Sequence, residues 1–211
     1  MQIITIAPIG FASNCYLLSE DGKNAVAIDP AQPRILKEAA RRGFAVKYVL
    51  LTHGHFDHIG GCAALQKAGA KIGCMEIEKA LALGESNMGW KFGAFVPPFD
   101  IDFTLNNGDV LELCGIPLSV MGTPGHTAGG CCYVLRNKKG SSFCEEEGSL
   151  FTGDTLFAGD VGRTDLPTGS EGALRESLQR LIALKGNYTV YPGHGASTTL
   201  ERERRRLKES L

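Results

Sequence analysis

Three short apolar runs open the chain: QIITIA, NCYLLS and AVAID, each bounded by turn residues in the manner of β-strands. Asp29-Pro30 closes the third. From about residue 33 the period lengthens. Ile35, Leu36, Ala39 and Ala40 share one helical face, and Gly43 suits its end. VKYVLL follows without a polar break, the pattern of a strand covered on both faces. Residues 59–68 read as a helix closed by Gly69. No clean period runs through 84–100, GESNMGWKFGAFVPPFD; a loop that long is more often functional than idle. Strand runs resume at VLEL, LSVM, CCYVL and SLFT, with the polar insert NKKGSSFCEEEG between the last two read as a solvated hairpin. Leu174, Leu178, Leu181 and Ile182 mark a helix over 171–184, and YTVYP is a final strand. Thr198 with Glu201 forms a capping box for a last helix. This order predicts an α/β protein with two sheets and helices outside them, as one domain over 1–211.

Composition narrows the partners rather than the fold. Of 211 residues, 43% are hydrophobic, and 22 basic against 23 acidic residues leave a net charge of −1. That balance gives no general pull toward nucleic acid or anionic membrane. No apolar run approaches the ~20 residues that span a bilayer. MQIITIAPIGFASNC lacks the basic and apolar regions of a signal peptide, so the expected location is cytoplasmic. Seven cysteines, an odd number without CxxC spacing, read as reduced thiols outside any ligand set.

The chemistry gathers in four segments that share one layout, an apolar strand and then a turn of small residues with ligand-type side chains. They are LTHGHFDH (51–58), GTPGHTAGG (122–130), FTGDTLF (151–157) and VYPGHGAST (190–198). Every histidine of the chain lies in them: His53, His55, His58, His126 and His194. Ligands collected at strand ends are what a site on a rigid scaffold requires. Extended backbone points residues i and i+2 the same way, so His53 and His55 can grip one ion, with Gly54 allowing the bend. Asp57 and His58 follow the onset of a turn and face a second ion. His126 or His194 taken singly reads as a turn histidine held by hydrogen bonds; repetition across four turns gives them weight. Asp154 taken singly reads as a turn cap, as does Asp29, which is assigned no ligand role. Five histidines and two aspartates suit two divalent ions sharing a bridging carboxylate, zinc first, with iron or manganese also compatible. The lack of cysteine ligands argues against a closed structural zinc site. Asp57, Asp154 and a bridging hydroxide leave one formal positive charge on such a pair, which polarises a carbonyl. Metal binding brings the pKa of water to roughly 7.

With THGHFDH (52–58), PGHT (124–127), TGDTLF (152–157) and PGHG (192–195) in that order, the chain resembles the metallo-β-lactamase superfamily over nearly its whole length. The resemblance implies an αββα sandwich of two mixed β-sheets with outer helices, the metals lying at the open edge between the sheets. By position, His53, His55 and His126 resemble the ligands of the first ion. Asp57, His58 and His194 resemble those of the second, with Asp154 as bridge. Asp57 is further expected to orient the metal-bound water that acts as nucleophile. True β-lactamases of this fold usually place a cysteine at the position of Asp154, so antibiotic hydrolysis is disfavoured.

FASNCYLL (11–18) and GDVGRTDLP (159–167) extend the match to short glyoxalase II-like proteins, whose assigned reaction cleaves a hydroxyacyl-glutathione thioester to a hydroxy acid and a free thiol. A small-molecule thioester is therefore the expected partner, and the protein a monomer or small homo-oligomer. Longer glyoxalase II enzymes carry a C-terminal helical region that helps hold glutathione; here the resemblance ends soon after PGHG. GRTDLP also occurs in persulfide dioxygenases of the same fold, which use a single iron; His53, His126 and Asp154 would be that set, and this is the alternative reading. A hydrolase of another small ester or lactone is the second. Trp90 and Phe92, with Phe95 and Phe99, are candidate walls of a substrate groove, Arg163 with Asp165 a candidate contact to an anionic substrate, and Tyr191 a candidate neighbour of the site. Each has an ordinary counterpart: packing under a loop, a surface ion pair contributing ~0–1 kcal/mol, or the end of a strand. RERRR (202–206) is interleaved with glutamates and reads as a solvated helix face, which does not favour a nuclease. A non-enzymatic metal module would show a missing ligand, and none is missing.

Overall fold

The computed structural model describes residues 1–136 and 147–208. Gln2–Ile6 (β1), Cys15–Ser19 (β2), Asn24–Ile28 (β3), Ala45–Leu50 (β4), Lys71–Met75 (β5) and Phe103–Leu105 (β6) form a six-stranded sheet, neighbours following in chain order. Val110–Leu113 (β7), Ile116–Gly122 (β8), Cys131–Arg136 (β9), Glu147–Gly153 (β10), Asn187–Pro192 (β11) and Thr198–Thr199 (β12) form a second, also neighbour to neighbour. Both sheets are mixed. In the first, β3 to β6 run parallel; in the second, only β10 and β11 do. Parallel neighbours need a crossover. Helices Ile35–Arg41 (α1), Cys62–Lys67 (α3) and Glu171–Ile182 (α5) lie in three of them, and Phe56–Ile59 (α2), Lys79–Leu83 (α4) and Leu200–Leu207 (α6) complete the set.

The two-residue period of the strands sorts their side chains into three apolar layers. Leu18, Val26, Ile28 and Leu50 of the first sheet meet Leu118, Val120, Tyr133, Leu135 and Phe151 of the second between the sheets. The intervening residues Leu17, Ala25, Ala27, Val49 and Ile72 face outward against Ile35 and Ala39 of α1 and Cys62 and Leu65 of α3. On the far side, Val134, Leu150, Tyr188 and Val190 cover Leu174, Leu178 and Leu181 of α5 and Leu200 and Leu207 of α6. Each such buried leucine stabilises the fold by roughly 1.5–3 kcal/mol relative to an exposed one. The result is the expected helix–sheet–sheet–helix order. Tyr133, wholly buried, donates its hydroxyl to the Leu51 carbonyl at 2.7 Å. Among the described residues no helix is long and apolar enough to cross a membrane.

Several boundaries differ from the sequence reading, each for a local reason. The helix expected over 59–68 is two pieces, α2 and α3, separated at Gly60-Gly61, where the Gly61 N–H leaves the helix to donate to Pro30 O at 2.6 Å. Asp57 and His58 consequently sit in their own helical turn. The last helix is capped by Thr199, whose hydroxyl accepts from Arg202 N; Thr198 is buried and donates to Glu203 Oε1 at 2.8 Å instead. The strand β4 is covered on both faces only at its end, Val49 and Leu50; before that Val46 is buried while Ala45 and Lys47 are exposed. β5, β6, β12 and α4 have no counterpart in the periodicity. Residues 84–100 hold two short 3-10 turns, Glu85–Asn87 and Gly89–Phe92, and Phe99 joins the outer core. The six described cysteines are free, and all but Cys114 are buried; residues 137–146 of the polar insert, Cys144 among them, lie outside the described residues.

Candidate metal centre

Four turns that follow the C-terminal ends of β4, β8, β10 and β11 meet at one edge of the sandwich. They bring together all seven candidate ligands. Ligand atoms of His53, His55 and His126 lie within 4.8 Å of one another, as do those of His53, His58 and Asp154 and those of Asp57, His58 and His194. His55 Nδ1 stands 2.9 Å from His126 Nε2. Asp154 faces both sides: Oδ1 lies 3.3 Å from His58 Nε2, and Oδ2 lies 3.6 Å from His126 Nε2 and from His194 Nε2. Asp57 Oδ2 lies 3.1 Å from His194 Nε2.

Outward partners fix which nitrogen of each ring looks inward. His58 Nδ1 donates to Asp29 Oδ2 at 2.9 Å, and His126 Nδ1 to the carbonyl of Arg163 at 2.7 Å. The Thr52 hydroxyl donates to Asp29 Oδ2 at 2.6 Å, so its oxygen is free to accept from His53 Nδ1 at 3.2 Å. Each ring therefore turns its Nε2 toward the centre. His53 Nε2 and His55 Nε2, on the two rings that burial keeps neutral, are buried without a hydrogen-bond partner. Buried acceptors of this kind are expensive unless something satisfies them, and a cation among nitrogen and carboxylate donors does so. The residues present fit two divalent ions.

The two halves differ electrically. Burial, then the neighbouring rings of His58 and His126, drive the pKa of His53 well below the ordinary value. Burial and the rings of His126 and His58 bring His55 to about 4. Both rings are neutral at pH 7. Burial also opposes charge on His58, but the carboxylates of Asp154, Asp29 and Asp57 outweigh it and raise its pKa well above the ordinary range. Burial raises the carboxyls of Asp57 and Asp154, and the histidines beside them, His58 foremost, pull both below the usual value. In the metal-free protein His58 thus holds a proton. That proton stabilises the fold below the unfolded histidine pKa of about 6.5, and the contribution is lost as pH rises through the raised folded pKa. A cation bound at His58 Nε2 would have to displace it. The affinity of a cation there should rise about tenfold per pH unit below that pKa, with release of a proton. Calorimetric titration in buffers of different ionisation enthalpy reads the proton directly; second-ion binding without proton release would contradict this.

The candidate substrate contacts fare unevenly. Trp90 and Phe92 are exposed, at 70% and 56%, and Phe92 stacks on Phe56 of the metal motif with ring centres 5.1 Å apart. Arg163 is held bidentately by Asp165, both contacts at 2.6 Å, so what it offers the centre is its carbonyl. Tyr191 packs among Tyr16 and Phe151 at the mouth of the inner core.

Three residues have a supporting role that the sequence reading does not give them. Asp29, buried, accepts from Thr52 N, Thr52 Oγ1 and His58 Nδ1. A carboxylate ending the apolar run AVAI was the available signal, because a buried charge needs donors. Glu78 is likewise buried, lifted above its ordinary pKa by burial against the pull of three donors. Asn14 donates its side-chain amide to the carbonyls of Pro192 and Gly195, both at 3.0 Å, and its backbone N–H to Gly193 O at 2.7 Å, bracketing His194.

A family model described as the metallo-beta-lactamase superfamily matches residues 8–194. The protein of Haemophilus influenzae named hydroxyacylglutathione hydrolase GloC is 35% identical over 216 residues, covering 97% of this chain and 96% of its own length. The crystal structure of BLEG-1, a B3 metallo-beta-lactamase, superposes with a TM-score of 0.85 at 29% identity and 97% of each chain. That of TTHA1623 in a di-iron-bound form gives 0.80 at 33% identity, with 97% of this chain and 98% of its own covered.

Proposed function

The chain belongs to the metallo-β-lactamase superfamily, and from there we propose that it hydrolyses a small thioester, such as a hydroxyacyl-glutathione, at a binuclear metal centre. His53, His55 and His126 would hold the first ion, Asp57, His58 and His194 the second, and Asp154 would bridge them. The observation that carries this reading is the convergence of seven ligand-type side chains from four distant turns, with buried lone pairs facing inward. Bound divalent ions supply Lewis acidity and, near neutral pH, hydroxide as the nucleophile.

The chain's own groups do the rest. Asp57, on the first turn of α2 with Oδ2 beside His194, would accept a hydrogen bond from the nucleophilic water and orient it. The carboxylate of Asp29 holds His58 in the tautomer that presents Nε2, and the Arg163 carbonyl does the same for His126. Phe92, stacked on Phe56, shields one side of the mouth and with Trp90 offers an apolar wall to the acyl or thiol part.

The relative named hydroxyacylglutathione hydrolase supports a thioester substrate. Zinc suits the nitrogen-rich ligand set, and the di-iron form of a similar structure makes iron its rival. A single-iron dioxygenase would use only His53, His126 and Asp154, leaving the inward-facing His55, Asp57, His58 and His194 without a duty; the hydrolase accounts for all seven.

The test is metal analysis of protein purified without oxygen, with parallel assays of thioester cleavage, β-lactam cleavage and sulfur-dependent oxygen uptake. Two ions with thioester cleavage is the expected result. One iron with oxygen uptake would replace this reading with the dioxygenase, and β-lactam turnover alone would replace it with an antibiotic hydrolase.

A further inference from the structure

We propose that Glu78 is a positioning residue that sets the spacing between the His53–His55 pair and His126, and thereby the affinity of the first ion. The inference rests on the ligand reading above and deepens it. Glu78 ends the 3-10 turn Glu76–Glu78 that follows β5 and is 1% exposed. Its Oε1 accepts from Gly54 N at 2.9 Å; its Oε2 accepts from Gly129 N at 2.8 Å and from Thr127 Oγ1 at 3.0 Å. Gly54 stands between His53 and His55, and Thr127 follows His126 directly.

One carboxylate therefore clasps the turn after β4 to the turn after β8, and those strands belong to different sheets. The gap it bridges is the one that separates His55 Nδ1 from His126 Nε2 by 2.9 Å. The clasp is tight. A Cβ on Gly54 would lie 2.6 Å from the backbone of Ala82 in α4, so the histidine turn is seated against the helix that Glu78 leads into. Glu78 touches no ligand side chain; its partners are two backbone amides and a hydroxyl, all donors. Removing it deletes no coordinating atom and alters only where such atoms stand. Outer partners of metal ligands typically contribute about 10–100-fold to metal affinity.

Glu78→Gln keeps the volume but turns an N–H toward donors on one side of the clasp. The test strips the metal from wild type and variant and titrates both with zinc against a chromophoric chelator, resolving two dissociation constants. Cobalt absorption of the substituted proteins and thermal unfolding of the metal-free forms accompany it. For Glu78→Gln the first-ion constant should rise about 10–100-fold, with a changed cobalt spectrum, while the second stays within about threefold. Unchanged constants in a folded variant would overturn the proposal. So would equal weakening of both ions with a lower unfolding temperature, the mark of a merely structural group. Should Glu78→Gln not fold, Thr127→Val removes one donor from the clasp and leaves its two backbone contacts. A smaller rise confined to the first ion supports the proposal, and no change overturns it. Wild-type protein that fails to bind two ions would sink the ligand reading itself and this inference with it, whereas two resolved wild-type constants uphold that reading whatever the variants do.

Discussion

Asp154→Asn should cost the protein one of the two proposed ions and roughly a hundredfold or more in kcat/KM for thioester cleavage. Second-layer partners already account for about 10–100-fold, and Asp154 stands in direct reach of both halves. Its two oxygens face His58 on one side and His126 and His194 on the other, at 3.3–3.6 Å. The amide has the same shape but presents protons to one of those sets, where a lone pair is required. It also removes the negative charge that does most to keep His58 protonated in the metal-free state, so the proton released on loading should shrink as well. The volume hardly changes, and the fold should survive. Metal analysis by mass spectrometry alongside steady-state kinetics checks this; a variant with two ions and full activity would remove the bridging role.

Gly193→Ala is the second large effect, and it replaces no candidate ligand. A Cβ at Gly193 would lie 2.2 Å from Asp154 Oδ1 and 2.7 Å from His58 Cε1, well inside contact distance. The backbone has no room to retreat. Gly193 N donates to Gly153 O at 2.8 Å, and Gly193 O accepts from Asn14 N at 2.7 Å. The methyl must displace the carboxylate or the ring. We expect loss of the second ion, a fall in activity of about a hundredfold, and a metal-free protein less stable by about 1–3 kcal/mol. Gly172→Ala serves as the contrast: that site in α5 has open space around it, and an alanine there should stabilise by about 0.5–1 kcal/mol. Denaturant unfolding and metal content measured on both variants separate a clash at the centre from a general glycine effect. Two ions retained in Gly193→Ala would show that the turn gives way.

Strand and ligand legibility had different sources. β2, β3, β8 and β9 declare themselves because each carries enough apolar residues to show a boundary. β5 carries Gly73, whose missing side chain leaves room for the Phe103 ring, and β6 and β12 are three and two residues long, too short for any period. The candidate ligands were legible because coordination chemistry confines itself to few residue types, and these cluster at strand ends. Asp29 and Glu78 were not, because one carboxylate acquires meaning only from its partners. Those partners lie 23 to 51 positions away, and no local pattern encodes them. The capping error at Thr198 is of the same kind: two adjacent threonines compete for one role, and burial of the first against Glu203 decides it.

The Asn14 clasp on the turn around His194 joins residues 178 and 181 positions apart. Closing so long a loop is entropically costly and comes late in folding. During synthesis the N-terminal segment must wait for almost the entire chain to emerge before it can secure the final histidine. The nitrogens of His53, His55 and His126 are all available well before that moment. On the proposed ligand assignment, a chain that has not yet closed this clasp would lack the His194 side of the second ion's site, so loading of both ions would report that the last strand has docked.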